Sequence, residues 1–219
     1  MNFPIQPDGD EARARAAQIV RRGGLIAFRT DTFYGLGVDP FNEGALKALK
    51  VLKGREDAKP ILVVIGDTKD ADNLVADSSP LFKFVGENHW PGALTIVTRA
   101  RRELPRDLTA GTETIGVRLP DDDEVRALVR ACGGALTATS ANPAGHAPAR
   151  TALEVARYFP AGLDLIIDGG ATRATQASTV LDVSVLPARL IREGVVTRRE
   201  LELTLQRIGA RLARSSEDA

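Results

Sequence analysis

Alternation is the feature that most limits what this chain can fold into. Stretches of helical periodicity and short apolar runs take turns along almost all of its 219 residues. After Asp8-Gly9-Asp10, residues Ala12, Ala16, Ile19 and Val20 recur at helical spacing, and Gly23-Gly24 supplies a stop. Leu25 to Phe28 then reads as a short buried strand. Asn42 is placed to cap a second helix striped by Ala45, Leu46, Leu49 and Leu52, with Gly54 at its end. Ile61 to Ile65 is the next strand, and Ser79-Pro80 opens a helix to about Asn88. Strand patterns at Leu94–Thr98 and Thr114–Leu119 precede a helix from about Asp122 to Cys132. Strand Ala135–Thr139, a short helix from Ala152, and strands Leu165–Ile167, Thr179–Ser184 and Arg189–Arg192 follow. Thr197-Arg198-Arg199-Glu200 fits a capping box, so a last helix is expected to about Ala213, with 215–219 frayed.

About eight strands with interspersed helices predict an α/β domain on one twisted sheet with flanking helices. The late strands have no helices between them, so the sheet is expected to be mixed. No repeat or long linker divides the chain. The strongest apolar run, Pro60 to Gly66, is far short of the roughly 20 residues that span a bilayer. The N-terminus, Met1-Asn2-Phe3-Pro4, lacks the basic-then-apolar layout of a signal peptide. No membrane association is expected, and a cytoplasmic setting follows as the default.

Composition excludes several classes. Lys+Arg and Asp+Glu both number 29, so the net charge is zero, which argues against a globally basic nucleic-acid binder. Aromatic residues make up only 5%, which leaves few platforms for stacking bases. A single cysteine, Cys132, excludes a disulfide framework and a cysteine-clustered metal site, and two histidines argue against a zinc site. No dedicated metal site is expected.

Four segments are polar where a fold alone would not require it. Thr30-Asp31-Thr32-Phe33-Tyr34-Gly35-Leu36-Gly37 follows the first strand, where an open α/β sheet places ligand contacts; a tight turn with a capping Asp explains it equally well. Lys53-Gly54-Arg55 and Lys59 put three cations within seven residues between a helix end and a strand. They suit either the helix dipole or a phosphate, but no glycine-rich cradle precedes the lysine, so this is not a Walker loop. Residues 133–149 contain no charged residue among Lys, Arg, Asp and Glu and centre on Ser140-Ala141-Asn142. No acid–histidine pair or G-x-S-x-G elbow accompanies Ser140, which argues against a hydrolase triad. Arg118 and Arg192, with Ser178, lie in or beside strand patterns; an inward arginine needs an anion, supplied by an internal ion pair or a ligand.

Taken together these segments resemble the YrdC/YciO family, specifically its threonylcarbamoyl-adenylate synthases. The matching pieces are Thr30 to Gly37, Lys53-Gly54-Arg55 with Lys59-Pro60, and Trp90-Pro91-Gly92. Further matches are Ile115 to Pro120, Ser140-Ala141-Asn142, Ser178-Thr179-Val180 and Ile191-Arg192-Glu193-Gly194. Each alone is weak; seven in order across residues 10 to 197 are specific. The family signature K-x-R…S-x-N is met by Lys53, Arg55, Ser140 and Asn142. Departures stand at Arg29, Glu56 and Ala93, where the family favours proline, and at Val64, where some archaeal members carry histidine near threonine.

The resemblance implies a large concave cavity, a YrdC-like catalytic domain over 1–197, and a C-terminal helix and tail over 198–219. The longer synthases carry a second C-terminal domain, for which this chain is expected to be too short. The activity implied joins ATP, L-threonine and bicarbonate into threonylcarbamoyl-AMP and pyrophosphate. A separate tRNA threonylcarbamoyl transferase complex would consume the product. By resemblance, Thr32, Arg118, Ala138 and Ser178 would hold threonine. Arg55, Lys59, Thr114, Ser140, Pro148 and Arg192 would line the ATP side, with Lys53 and Asn142 near the phosphates. Mg2+ would arrive with ATP. The chain alone is expected to bind tRNA weakly or not at all. A YciO-like paralogue of uncertain role and a non-catalytic RNA-binding module are the alternatives.

Overall fold

The computed structural model describes residues 4–54, 60–76 and 78–213. The first half runs β1 (Ile5–Pro7), α1 (Asp10–Arg21), β2 (Ile26–Phe28), β3 (Gly35–Gly37), α2 (Glu43–Lys53), β4 (Val63–Ile65), a 3-10 turn (Thr68–Asn73), α3 (Pro80–His89) and β5 (Leu94–Arg99). The second runs α4 (Arg106–Thr109), β6 (Thr114–Arg118), α5 (Asp123–Ala131), β7 (Ala135–Thr137), β8 (Thr139–Ser140), α6 (Ala152–Tyr158), β9 (Leu165–Asp168), β10 (Thr179–Asp182), β11 (Arg189–Arg192) and α7 (Arg198–Gln206).

The mixed α/β architecture with flanking helices is present, but the strands divide between two mixed sheets where one was expected. One is ordered β1-β9-β2-β3-β8, the other β11-β10-β5-β6-β4-β7. The division falls at Ala138. β7 closes one edge by pairing antiparallel with β4, and β8, one residue later, closes an edge of the other by pairing antiparallel with β3. A run read as one strand, Ala135–Thr139, thus serves two sheets. Thr137 ties them together. Its amide donates to the Val38 carbonyl at 3.1 Å, and its hydroxyl accepts from Val38 N at 2.9 Å and donates to Leu36 O at 3.3 Å. Thr137→Val keeps the shape but leaves a buried amide and carbonyl without that hydroxyl. It should cost about 1–3 kcal/mol, read as a lowered denaturant midpoint with unchanged slope; an unshifted midpoint would deny the hydroxyl this role.

Helices cover both faces. α1 and α5 pack on each other and bury Ala16, Val20, Val125, Leu128 and Val129 against Ile26, Phe28 and Leu165 of one sheet and Val64 and Leu136 of the other. The larger core takes in α2, α3, α6 and α7, with Leu201 and Leu205 of α7 fully buried in it. Helix boundaries follow local chemistry. The Asn42 side chain accepts from Ala45 N at 3.0 Å, and Gly54 ends α2 in the left-handed region at φ 60°. The Asp122 carboxylate caps α5 and also takes Arg29 at 2.6 Å. α7 stops seven residues before the expected Ala213, because Gly209 adopts φ 68° and Ala210 N bonds back to Leu205 O at 3.0 Å, a glycine-terminated helix end. Among the described residues no helix is long and apolar enough to cross a membrane.

Candidate functional site

Where the two sheets meet, a cavity of about 480 Å3 opens, a size suited to a small molecule. One wall comes from the turn between β2 and β3 and from β8. The other comes from β4, β5, β6, Ala177-Ser178 before β10, and Arg192 of β11. Loop residues Asn142, Ala144, Gly145 and Pro148 form a rim.

Among the described residues three cations line it. Lys53, the last residue of α2, donates through Nζ to the Ser140 carbonyl and, at 3.0 Å, to Ser140 Oγ. Arg118 ends β6 and is 5% exposed; its Nη1 meets Asp31 Oδ1 at 2.6 Å. Arg192 donates from Nε and Nη2 to the Ser178 carbonyl at 3.1 and 2.8 Å and from Nη2 to Ser178 Oγ at 3.2 Å. Burial, then the Arg118 charge, hold the Arg192 pKa below the ordinary arginine value. No Asp or Glu lines the cavity among the described residues. Two guanidinium groups that repel each other, with no lining carboxylate among the described residues, define a receptor for anions.

Hydroxyls complete the lining. Thr30 Oγ1 accepts from Thr32 N at 3.2 Å, donates to Phe33 O at 2.7 Å and lies 3.0 Å from Thr32 Oγ1, which fixes the turn. Ser178 Oγ is 3.2 Å from Thr95 Oγ1. Asn142 spends its amide protons on Pro143 O (3.0 Å) and His146 O (2.7 Å); its Oδ1 is buried with no protein partner. That oxygen suits a ligand donor or a divalent cation carried on phosphates, while no cluster of three or more His, Cys, Asp or Glu forms a metal cage among the described residues.

The structure thus gathers Thr32, Lys53, Arg118, Ala138, Ser140, Asn142, Pro148, Ser178 and Arg192 around one cavity. Arg55 and Lys59 lie outside the described residues. Thr114 lines a separate hollow beside Arg99, Arg101, Arg102 and Arg106, with its hydroxyl 2.9 Å from that of Thr112. The Ala138 amide is spent on Leu62 O at 2.8 Å. His146 is exposed, its ring edge-on to Tyr158 at 5.7 Å. Thr95 was not anticipated as a lining residue: nothing in Leu94–Thr98 separates it from an ordinary strand threonine. Burial drives the Cys132 thiol up to about 12, which makes it chemically quiet.

A mixed α/β fold with an anion-receiving cavity between its sheets is the class this molecule defines. The Sua5/YciO/YrdC family model, described under telomere recombination, matches residues 18–194, and the chain belongs to that family. It is 39% identical over 165 residues to a protein of Thiobacillus denitrificans named threonylcarbamoyl-AMP synthase, covering 75% of this chain and 87% of that one. A protein of the same name from Pyrococcus abyssi is 33% identical over 193 residues, covering 88% of this chain and 57% of its own. Among solved structures, P. abyssi Sua5 complexed with L-threonine matches with a TM-score of 0.88 at 31% identity, over 95% of this chain and 61% of that one. Escherichia coli YciO matches at 0.77 and 27% identity, over 88% of this chain and 95% of its own. This chain therefore spans under two thirds of the P. abyssi protein and most of the T. denitrificans one.

Proposed function

We propose that the chain is a threonylcarbamoyl-AMP synthase, a cytoplasmic nucleotidyltransferase. It would join L-threonine, bicarbonate and ATP into threonylcarbamoyl-AMP with release of pyrophosphate, for threonylcarbamoyladenosine formation in tRNA. The observation that carries this is a cavity with three cations and no lining carboxylate among the described residues, apt for a carboxylate, a carbamate and a triphosphate brought together. The names of the relatives at 33–39% identity support the choice of reaction.

The roles follow from residue chemistry. Arg118 pairs with the carboxylate of threonine, and the hydroxyls of Thr32 and Ser178, with the Ala138 backbone, form the small pocket for its side chain. Lys53, Arg55, Lys59 and Arg192 neutralise the triphosphate, the Ser140 hydroxyl hydrogen-bonds to it, and Pro148 belongs to the ATP side, whereas Thr114, which lines a separate hollow, is left out of this assignment. Asn142 Oδ1 would help hold Mg2+, whose contribution is charge neutralisation on the phosphates. The amine of threonine adds to bicarbonate with loss of water to give a carbamate. One carbamate oxygen attacks the α-phosphorus, and the bond to the β-phosphate breaks with its electron pair leaving on pyrophosphate. The nucleophile is already an anion, so positioning and charge neutralisation do most of the work. The product passes to a separate tRNA threonylcarbamoyl transferase complex, and tRNA itself is held weakly by this chain.

Purified protein should release pyrophosphate only with threonine, bicarbonate, ATP and Mg2+ together. Equal release without threonine would refute the assignment. Arg55→Lys keeps a charge but loses the planar fork that meets two phosphate oxygens. It should lower turnover by about tenfold or more, on the order of 1.5–3 kcal/mol for a charged hydrogen bond, and Arg55→Ala more. Near-normal turnover in the alanine variant would reduce Arg55 to a cation near a helix end.

A further inference from the structure

Among the described arginines of the cavity, Arg118 is the one whose charge is answered by a carboxylate, that of Asp31. Asp31 Oδ1 takes Arg118 Nη1 at 2.6 Å, with side-chain exposures of 12% and 6%. Arg118 lines the cavity, as do Thr30 and Thr32 on either side of Asp31. The pair uses one guanidinium nitrogen, so the fork keeps donors for a second anion on its open side. The turn that bears Asp31 is rigid, pinned by the three short contacts of Thr30 Oγ1 to Phe33 O, Thr32 N and Thr32 Oγ1.

We propose that Asp31 is a positioning residue for amino-acid binding: it anchors Arg118 from behind so that the open edge of the guanidinium is presented, already oriented, to the substrate carboxylate. This rests on the threonine reading of the site. A long, freely rotating arginine would lose side-chain entropy on capturing a ligand; one already held by an ion pair has lost it on folding. The same turn carries Thr32, so a single rigid segment sets both the carboxylate clamp and a hydroxyl of the side-chain pocket.

The test is calorimetric titration of the full chain with L-threonine and, separately, with ATP, on the parent protein, Asp31→Asn and Asp31→Glu, joined to threonine KM from pyrophosphate release. Asn keeps the shape and loses the charge; Glu keeps the charge and displaces it by one methylene, so it carries the test if the Asn variant does not fold. Threonine affinity should fall at least tenfold in Asn and severalfold in Glu, threonine KM should rise in parallel, and ATP affinity should stay within twofold. Threonine affinity within twofold of the parent in both variants overturns the proposal. Tighter binding overturns it in favour of a competing carboxylate, and an equal loss of ATP affinity in favour of a general structural role. If the parent protein binds ATP but not threonine, the threonine reading itself fails and takes this proposal with it.

Discussion

Arg118→Ala should abolish threonine capture while leaving ATP binding in place. Arg118 is 5% exposed at the end of β6, and its guanidinium is proposed to take the substrate carboxylate. Truncating one partner of a buried, hydrogen-bonded charge pair costs about 2–5 kcal/mol, so threonine affinity should drop on the order of a hundredfold or more. The change also strips Asp31 of its partner at 12% side-chain exposure. Breaking a buried pair from one side is worth about 3–5 kcal/mol of stability, and the melting midpoint should fall accordingly. Arg118→Lys retains the charge and loses the fork, and should lie between. Calorimetry for threonine and ATP on the same preparations separates ligand loss from unfolding. Threonine affinity within threefold of the parent in the alanine variant would remove Arg118 from the carboxylate site.

Gly194→Ala should damage catalysis through a residue that touches no substrate. A methyl group at Gly194 would sit 2.1 Å from the Ala177 carbonyl oxygen and 2.9 Å from the Ser178 carbonyl carbon. Both are backbone atoms, so one of the two segments must move. The segment cannot yield freely, since Val195 N donates to Ala177 O at 3.1 Å and Gly194 N to Thr179 Oγ1 at 2.9 Å. Ser178 also supplies the carbonyl and hydroxyl that hold Arg192. One added carbon thus displaces two lining residues at once. Overpacking of this kind costs about 1–3 kcal/mol, a melting shift of roughly 2–10 °C for a chain of this size. A displacement of about 1 Å at a positioning group costs about a hundredfold in rate. Turnover within twofold of the parent would mean that the 177–178 segment has another way to relax.

Much of this was legible before any coordinates. α2 announces itself by Asn42, its apolar stripe and Gly54, and α5 by Asp122 and its spacing, because each depends on local chemistry alone. β1 and β3 were not legible. Ile5-Gln6-Pro7 holds a proline and one strongly apolar residue, yet pairs parallel with β9 at a sheet edge. Gly35-Leu36-Gly37 is poor strand sequence, but a methyl at Gly37 would lie 2.7 Å from Phe28 Cε1, so packing of β2 against β3 requires the glycine. The 3-10 turn at Thr68–Asn73 uses an Asp67–Asp70 capping box, which departs from the Ser/Thr–Glu pattern by which such boxes are usually found. In the site, the motifs brought Lys53, Ser140, Asn142, Arg118, Ser178 and Arg192 to notice as separate segments. Their meeting, and the hidden partnership of Asp31 with Arg118, depend on which strands become neighbours. The two-sheet division was unreadable for the same reason, since it turns on a single residue, Ala138.

Because opposite walls of the cavity belong to different sheets, a bound substrate acts as a brace across the molecule. A ligand that touches Ser140 on one wall and Arg192 on the other adds a further link between two bodies that already meet through Thr137, the Asp31–Arg118 pair and shared helices. Any ligand that binds only the folded chain adds stability by mass action, about 2.7 kcal/mol at a hundred times its dissociation constant. Resistance to proteases tracks the population of opened chains. In nucleotide-rich surroundings the protein should therefore outlast the same chain after desalting, and depletion of ATP should shorten its lifetime before any covalent damage occurs.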